Sequence, residues 1–408
     1  MGPTPPARRV LLADCDQFFV AVARLVDPEG AGAARLLIVG GSRESRGVVC
    51  SASYEVRQYG VRSGMPISRA LRLCPDAMCV PVPRKACSEK SRAVAVVLRR
   101  FAPIVEAASV DELYLDLTNT ERLYHDEPLT ETAARIREAV GREAGISVSI
   151  GGGTSKLVAK LAVEKAKPRP GTGANGVYVV APGDEAEFLL RCTLADLPGV
   201  GPRFQERLAR LGWETVADVV ALDRAALVRN LGEREAHWLY DRVRGIDPTP
   251  VRPRGQVKSV SRDETFARDI SDPAAMKREL LRLVDRAAGD LRDAGLAART
   301  ITVKLRDADW VTRQASRTVP HALTTDRAIA PIARALFARL RAERRTAARL
   351  IGVSLSTFDD AAQLDLLDDR RELKRDRDLA RAVDAVRERY GHDAITPGIL
   401  AEAPKPRR

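Results

Sequence analysis

Two stretches of the chain repeat one order of elements, and that repetition limits the folds open to it. From Arg9 to Lys165 the apolar pattern reads strand, helix, strand, strand, helix, strand, with extra helices between. Arg9–Ala13, Leu36–Gly40, Gly47–Ala52, Ile104–Ala108, Leu113–Leu117 and Ser147–Ile150 have the short apolar runs of strands. Gln17–Val26, Ile67–Leu73, Lys85–Phe101, Glu131–Ala144 and Ser155–Lys165 have helical spacing. Such an order predicts an α+β domain with one antiparallel sheet. A second β-α-β-β-α-β pattern occupies Gln256–Ser356. Its strands are Val257–Thr265, Arg299–Arg306, Arg313–Val319 and Leu350–Leu355, and its helices Pro273–Asp293 and Thr325–Arg341.

Between the two, Asp184–Pro248 changes character to short helices broken by Gly and Pro, and predicts a small helical domain. Thr249–Gly255 is rich in Pro and Arg and reads as a linker. Lys167–Gly176 is a loop by composition. From Asp359 the chain is a charged tail, expected to be loosely attached, with a short helix at Asp378–Tyr390. The expected segments are therefore 1–183, 184–248, 249–255, 256–358 and 359–408.

Charge narrows the partner. The 408 residues carry a net +12, and Arg252–Arg349 alone hold 22 Lys and Arg against 12 Asp and Glu. A surplus of that size favours an acidic partner, nucleic acid before an anionic membrane. No run is long and apolar enough to span a bilayer, and Met1–Pro6 lacks the apolar core of a signal peptide. Pro6 stands where a myristoylation start needs Ser or Thr. The six cysteines, at 15, 50, 74, 79, 87 and 192, are scattered. Cys74 and Cys79 are too far apart for a zinc knuckle and have no histidine near them, so reduced thiols in a cytoplasmic protein are expected.

The chemistry concentrates where apolar strands end in acids. Asp14 closes the first strand in V-L-L-A-D-C-D-Q-F-F, and Asp111 and Glu112 lie in S-V-D-E between two apolar strands. Desolvating such acids is costly unless a cation pairs with them. A hairpin or bulge there can bring both acids to one rim beside Asp14. Three carboxylates and a backbone carbonyl are hard-oxygen ligands suited to Mg²⁺. Two such ions a few Å apart are what in-line phosphoryl transfer uses. The plainer reading is that these acids are solvated strand ends in salt bridges. G-G-G-T-S-K at 151–156 lacks the G-x-x-x-x-G-K-[ST] spacing of a P-loop.

Four motifs occur in order: A-D-C-D-Q-F-F, S-A-S-Y-E-V-R-Q-Y-G-V-R-S-G-M-P, S-V-D-E-L-Y-L-D and A-K-P. Together they resemble the Y-family translesion DNA polymerases, the bacterial DNA polymerase IV branch most closely, from about Arg9 to Ser356. The resemblance implies an α+β polymerase right hand. Residues 1–183 would be palm and fingers, 184–248 a small helical thumb, and 256–358 a β-α-β-β-α-β little finger. It implies a low-fidelity, distributive polymerase that adds dNTPs to a primer 3′-OH. The implied ligands of two Mg²⁺ ions are Asp14, Asp111, Glu112 and the carbonyl of Cys15, which leaves Asp16 a structural acid.

Phe19 falls on the family's steric-gate position, where a ring would clash with a ribose 2′-OH, and Phe18 on a core position. Ser51, Tyr54, Arg57 and Lys167 match its triphosphate contacts. Tyr54 and Arg57 stand at i, i+3, on one face of a helix, and both can donate to phosphate oxygens. Lys160 is a weaker candidate, equally readable as a solvated lysine. Gln17 is a departure, since many relatives place an apolar or aromatic residue there.

Leu197–Pro202, L-P-G-V-G-P, reads as the hairpin of a helix-hairpin-helix, with Gly199 and Gly201 letting backbone approach a DNA phosphate. Arg299, Lys304, Arg306, Arg313 and Arg317 are candidate phosphate contacts. In the tail, Q-L-D-L-L resembles the sliding-clamp peptide Q-L-x-L-F, with Gln363, Leu364, Leu366 and Leu367 as anchors and Leu in place of the terminal Phe. A monomer working with primer-template DNA, dNTPs and the clamp is expected, with no membrane. Two other readings stay open: an accessory protein that binds DNA and the clamp without turnover, and a nucleotide cyclase on a similar palm.

Overall fold

The computed structural model describes residues 7–42, 44–168, 173–253, 255–360, 371–391 and 394–400. These form two compact units: the chain up to Gly255 is the first, except Glu44–Arg46, which group with the second from Gln256 on.

In the first unit, β1 (Val10–Cys15) is buried along its whole length at the centre of a five-stranded sheet. It is flanked by α1 (Phe18–Val26), which packs Phe18 and Val22 into the main core. The chain continues through β2 (Leu37–Gly40), β3 (Val49–Ala52), α2 (Tyr54–Gln58), α3 (Ile67–Leu73), β4 (Met78–Val80) and α4 (Arg84–Leu98). A hairpin of β5 (Ile104–Ala107) and β6 (Glu112–Asp116) precedes α5 (Leu129–Ala144), β7 (Val148–Gly153), α6 (Lys156–Ala166) and β8 (Val177–Val179). The large sheet runs β5-β6-β1-β7-β8. All its pairs are antiparallel except β7 with β8, which α6 joins as a crossover.

The expectation of one antiparallel sheet needs correction. Leu37–Gly40 and Val49–Ala52 leave the large sheet and pair in a separate three-stranded sheet, β3-β2-β4. The strand that makes this possible is β4, three residues long and paired parallel to β2, and too short to show in the apolar pattern. Its helices seal a core of Ile38, Val49, Val56, Ile67 and Ala70.

Short helices follow as expected: α7 (Glu185–Leu190), α8 (Pro202–Arg210), α9 (Val216–Val220), α10 (Arg224–Leu231) and α11 (Glu233–Arg242). Their leucines and valines pack on Leu157, Val158 and Leu161 of α6. Asp247, 8 % exposed, closes this helical segment onto the large sheet's helices. Its carboxylate accepts from the Leu157 N–H at the start of α6 (3.1 Å) and pairs with Arg242 at 3.0 Å.

The second unit holds β9 (Ser259–Ile270), α12 (Pro273–Asp293), β10 (Leu296–Asp307), β11 (Thr312–Leu323), α13 (Asp326–Glu343) and β12 (Ala348–Asp360). Its antiparallel sheet runs β11-β10-β12-β9. Alternate residues, among them Ile301, Val303, Leu305, Ile351 and Val353, meet Leu280, Val284 and Phe337 of the two helices. The other face is open. Register places Ser259, Ser356, Thr300 and Thr318 in one row across it and Ser261, Ser354, Thr302 and Ser316 in the next.

The tail also departs from expectation. α14 (Arg371–Tyr390) is twenty residues long and docked, not loosely attached. Arg387 makes a two-pronged contact with Asp285 of α12 (3.0 and 2.9 Å), and both side chains are under 10 % exposed. Arg292 grips Asp384 in the same manner at 2.6 and 2.8 Å. Charged residues that look solvated in the sequence are here a paired interface.

Candidate active site

The central strand delivers the first acid. Antiparallel register sets Asp14 opposite Glu112 on β6 and opposite Ser149 on β7. Directly opposed side chains have Cβ atoms about 5 Å apart, so two carboxylates here repel unless cations lie between them. Lys160 of α6 and Lys167, the C-cap that follows it, supply that charge. Lys160 Nζ lies 2.5 Å from Glu112 Oε1 and 3.9 Å from Asp14 Oδ2. Lys167 Nζ lies 3.0 Å from the same Asp14 oxygen and 2.5 Å from Glu164.

Glycines let α6 come this close. A Cβ on Gly151 would collide with the backbone of Ala159 and Val163, and one on Gly153 with the Val158 side chain. The glycine run that does not make a P-loop thus seats a helix flat on β7.

Burial shapes the ionisation. Asp14 is 6 % exposed, and desolvation pushes it up to about 6, against the pull of Lys167 and Lys160. Burial works to lower Lys167, but Asp14 and Glu164 outweigh it and raise it to about 12. The Cys15 thiol is pushed far up, by burial first and then by the surrounding acids. The residue's hard-oxygen donor is its backbone carbonyl, since the side chain offers only sulfur.

Asp111 sits on the turn next to this pair. Its carbonyl accepts from the Cys15 N–H at 2.9 Å, and its carboxylate accepts from the Ser109 hydroxyl. Ser109 Oγ in turn accepts from the Glu112 N–H (3.0 Å), which fixes the turn. Among the described residues no three His, Cys, Asp or Glu side chains converge on one metal point. The donors nevertheless suit a hard cation: carboxylates only, one of them buried, with negative charge that two ammonium groups offset only in part.

Asp16 is held elsewhere. Its carboxylate accepts from the hydroxyls of Ser147 and Ser149, both at 2.7 Å. Phe18 is 2 % exposed in the core, while Phe19 is only partly buried, its ring edge-on to Phe18 with centroids 5.5 Å apart. Ser51 is buried on β3, and Tyr54 and Arg57 share α2 with the Arg57 guanidinium 5.4 Å from the Tyr54 ring centre. Arg57 Nε donates to the Ala52 carbonyl at 2.9 Å. A pocket of about 300 Å³ opens between α1 and α2, lined by Asp16, Gln17, Arg24, Tyr54 and Pro168 among others.

Lys160 is the residue that sequence reading undervalued. It stands seven residues, about two helical turns, before Lys167, the C-cap of α6, and that spacing is the available signal. Gln17, a departure by sequence, has a definite place in the fold. Its side-chain oxygen accepts from the Tyr54 N–H at 3.1 Å and joins the acid strand to α2.

In the helical segment, the loop Leu197–Gly201 is anchored by buried Leu197 and Val200. Gly199 has φ of +102°, where a side chain would strike the Trp238 ring. Gly201 is the N-cap of α8. In the second unit, Lys304 and Arg306 lie on the open sheet face, Lys304 paired with Asp263 at 2.6 Å. Arg299 adjoins a bulge and pairs with Asp359 at 3.4 Å.

Arg313 and Arg317 have the opposite parity, toward the helices. Arg317 is exposed on the edge strand. Arg313 requires correction as a phosphate contact. It is 13 % exposed and committed to Asp307, both oxygens at 3.1 Å, and to the Leu340 carbonyl. Gln363, Leu364, Leu366 and Leu367 lie outside the described residues.

Comparison with known proteins agrees along most of the chain. Residues 13–164 match the impB/mucB/samB family, 257–366 its C-terminal domain, and 195–247 a thumb domain described for DNA polymerase-iota. DNA polymerase IV of Dehalococcoides mccartyi (strain CBDB1) is 34 % identical over 96 % of this chain and 97 % of its own. DNA polymerase IV of Desulfatibacillum aliphaticivorans is 37 % identical over 96 % of each. Among solved structures, a Y-family DNA polymerase chimera of Dbh and Dpo4 superposes with a TM-score of 0.73 at 25 % identity. That match covers 86 % of this chain and 98 % of the chimera.

Proposed function

This chain belongs to the Y-family of translesion DNA polymerases, and from that premise we propose how its own residues carry out template-directed addition of dNTPs to a primer 3′-OH. The observation that carries the reading is the opposition of Asp14 and Glu112 across β1 and β6 under two lysine ammoniums. The family depends on divalent metal, and here Asp14, Asp111, Glu112 and the Cys15 carbonyl would hold two Mg²⁺ ions. When bound, these lower the pKa of the primer hydroxyl and offset charge on the triphosphate.

The remaining steps belong to side chains. Lys167, 3.0 Å from Asp14, donates to triphosphate oxygens beside the acids. Arg57 and Tyr54, together on α2, and the Ser51 hydroxyl donate to the same group. Pre-set donors of this kind stabilise the charge that develops on the leaving pyrophosphate. The partly exposed edge of Phe19 takes the volume a 2′-OH needs, and buried Phe18 braces it.

DNA is held without regard to sequence. The Gly199–Gly201 loop approaches backbone phosphate. Arg306, Arg299, Arg317 and Lys304 add charge, and the Ser and Thr rows of the open sheet add neutral donors. Gln363, Leu364, Leu366 and Leu367 form the contact with a sliding clamp, and the protein acts as a monomer.

Primer extension on a defined template tests the assignment. Asp111→Ala and Glu112→Ala should each abolish extension while the protein still binds primer-template. Extension that survives both substitutions refutes it.

A further inference from the structure

Gln17 stands between the acid strand and the helix that carries Tyr54 and Arg57, and its backbone is unusual. It occupies the left-handed region, φ 48° and ψ 42°, as the N-cap of α1. Few side chains other than Asn or Asp adopt that conformation, and it persists only where neighbours impose it. Here both neighbours do. Asp16 is pinned by Ser147 and Ser149, and Phe18 is buried in the core.

The side chain so aimed does not cap its own helix. Its Oε1 accepts the N–H of Tyr54, the first residue of α2, at 3.1 Å. The usual side-chain acceptor at a helix start is the N-cap residue, which meets the N–H of the second or third helical residue; here it is Ser53. Its side chain makes no capping bond. Its hydroxyl donates instead to the Arg35 carbonyl at 3.0 Å and tethers β3 to the segment entering β2. A helix N-terminus leaves unsatisfied N–H groups, and α2 has one of them met by a residue 37 positions earlier in the chain.

We propose that Gln17 is a positioning residue that sets α2 against the acid strand, so that Tyr54 and Arg57 meet the triphosphate of a nucleotide whose α-phosphate faces Asp14. Gln17 lies three residues from Asp14 and two from Phe19, so one side chain ties the acid, the gate and the phosphate helix to a common frame. The inference rests on the triphosphate role given to α2 above.

Single-nucleotide insertion kinetics and amide hydrogen exchange test it in the full chain. Gln17→Met keeps the volume and removes the acceptor. It should raise the dNTP KM about three- to tenfold, the effect of one hydrogen bond, with kcat within about twofold. Exchange at the Tyr54 amide should quicken by a similar factor. Gln17→Glu keeps an acceptor oxygen and should keep the Tyr54 amide protected, which separates capping from simple disturbance of the fold.

Unchanged KM in Gln17→Met overturns the inference if Arg57→Ala raises KM in the same assay, because α2 then binds phosphate without needing the cap. If Arg57→Ala leaves KM unchanged, the triphosphate reading of α2 falls, and the inference with it. Unchanged Tyr54 exchange in Gln17→Met removes the cap itself.

Discussion

Lys160→Met removes the ammonium that bridges Asp14 and Glu112 and leaves a side chain of similar length. The lost attraction can be scaled from the distances. At 3.9 Å to Asp14, and with an effective dielectric of about 20, the gross term is about 4 kcal/mol, and the nearer Glu112 adds more. Lys160 and Glu112 are each about one-quarter exposed. Solvent screening and the cost of desolvating the ammonium therefore reduce the net effect to about 1–2 kcal/mol.

Two consequences of opposite sign follow. Without divalent cation, the variant should melt several degrees lower, at about 2–4 °C per kcal/mol for a unit of this size. With Lys160 gone, a divalent cation no longer competes with an ammonium for the same oxygens. Its affinity should tighten about five- to tenfold, read by titration calorimetry with Mn²⁺. Scanning fluorimetry in chelator and calorimetry on the same preparations measure both. Equal melting temperatures together with equal or weaker Mn²⁺ binding would show that Lys160 is not a counter-charge of the acid pair.

Phe19→Ala should admit ribonucleotides, so the ratio of dNTP to rNTP insertion efficiency falls by at least tenfold, and an unchanged ratio removes the gate. Asp247 is held below the ordinary carboxylate range: burial opposes ionisation, but Thr249 and Arg242 outweigh it. Its contribution to stability is therefore complete above the unfolded pKa of about 4 and lost as pH falls through the depressed value. Asp247→Asn should lower the melting temperature at pH 7, and the difference should start to shrink below about pH 4 and vanish once pH is below the depressed value. Arg387→Ala strands Asp285, which is 7 % exposed, and should cost about 3 kcal/mol in urea unfolding, with Asp285→Ala in the same chain recovering part of it.

Much of the site was legible because its residues sit at the ends of strongly patterned elements. Asp14 closes an apolar run, S-V-D-E interrupts two others, and Tyr54 and Arg57 are at helical spacing. Lys160 was less legible, since a lysine on a helix is solvated by default. Only the glycine run beneath α6 brings it onto the acids. Arg313 failed in the opposite sense. It looks like a phosphate ligand in a basic strand, yet strand parity turns it toward buried Asp307.

The sequence by itself determined the order of elements, the two β-α-β-β-α-β patterns, and the set of acids, because periodicity and strand ends are local properties. The split into two sheets, the docking of α14, the lysine cover over Asp14 and the capping of α2 by Gln17 were decided by tertiary structure alone. Each depends on contacts between residues tens of positions apart. A side chain's partner there is set by register and helix seating, which leave no local periodic trace.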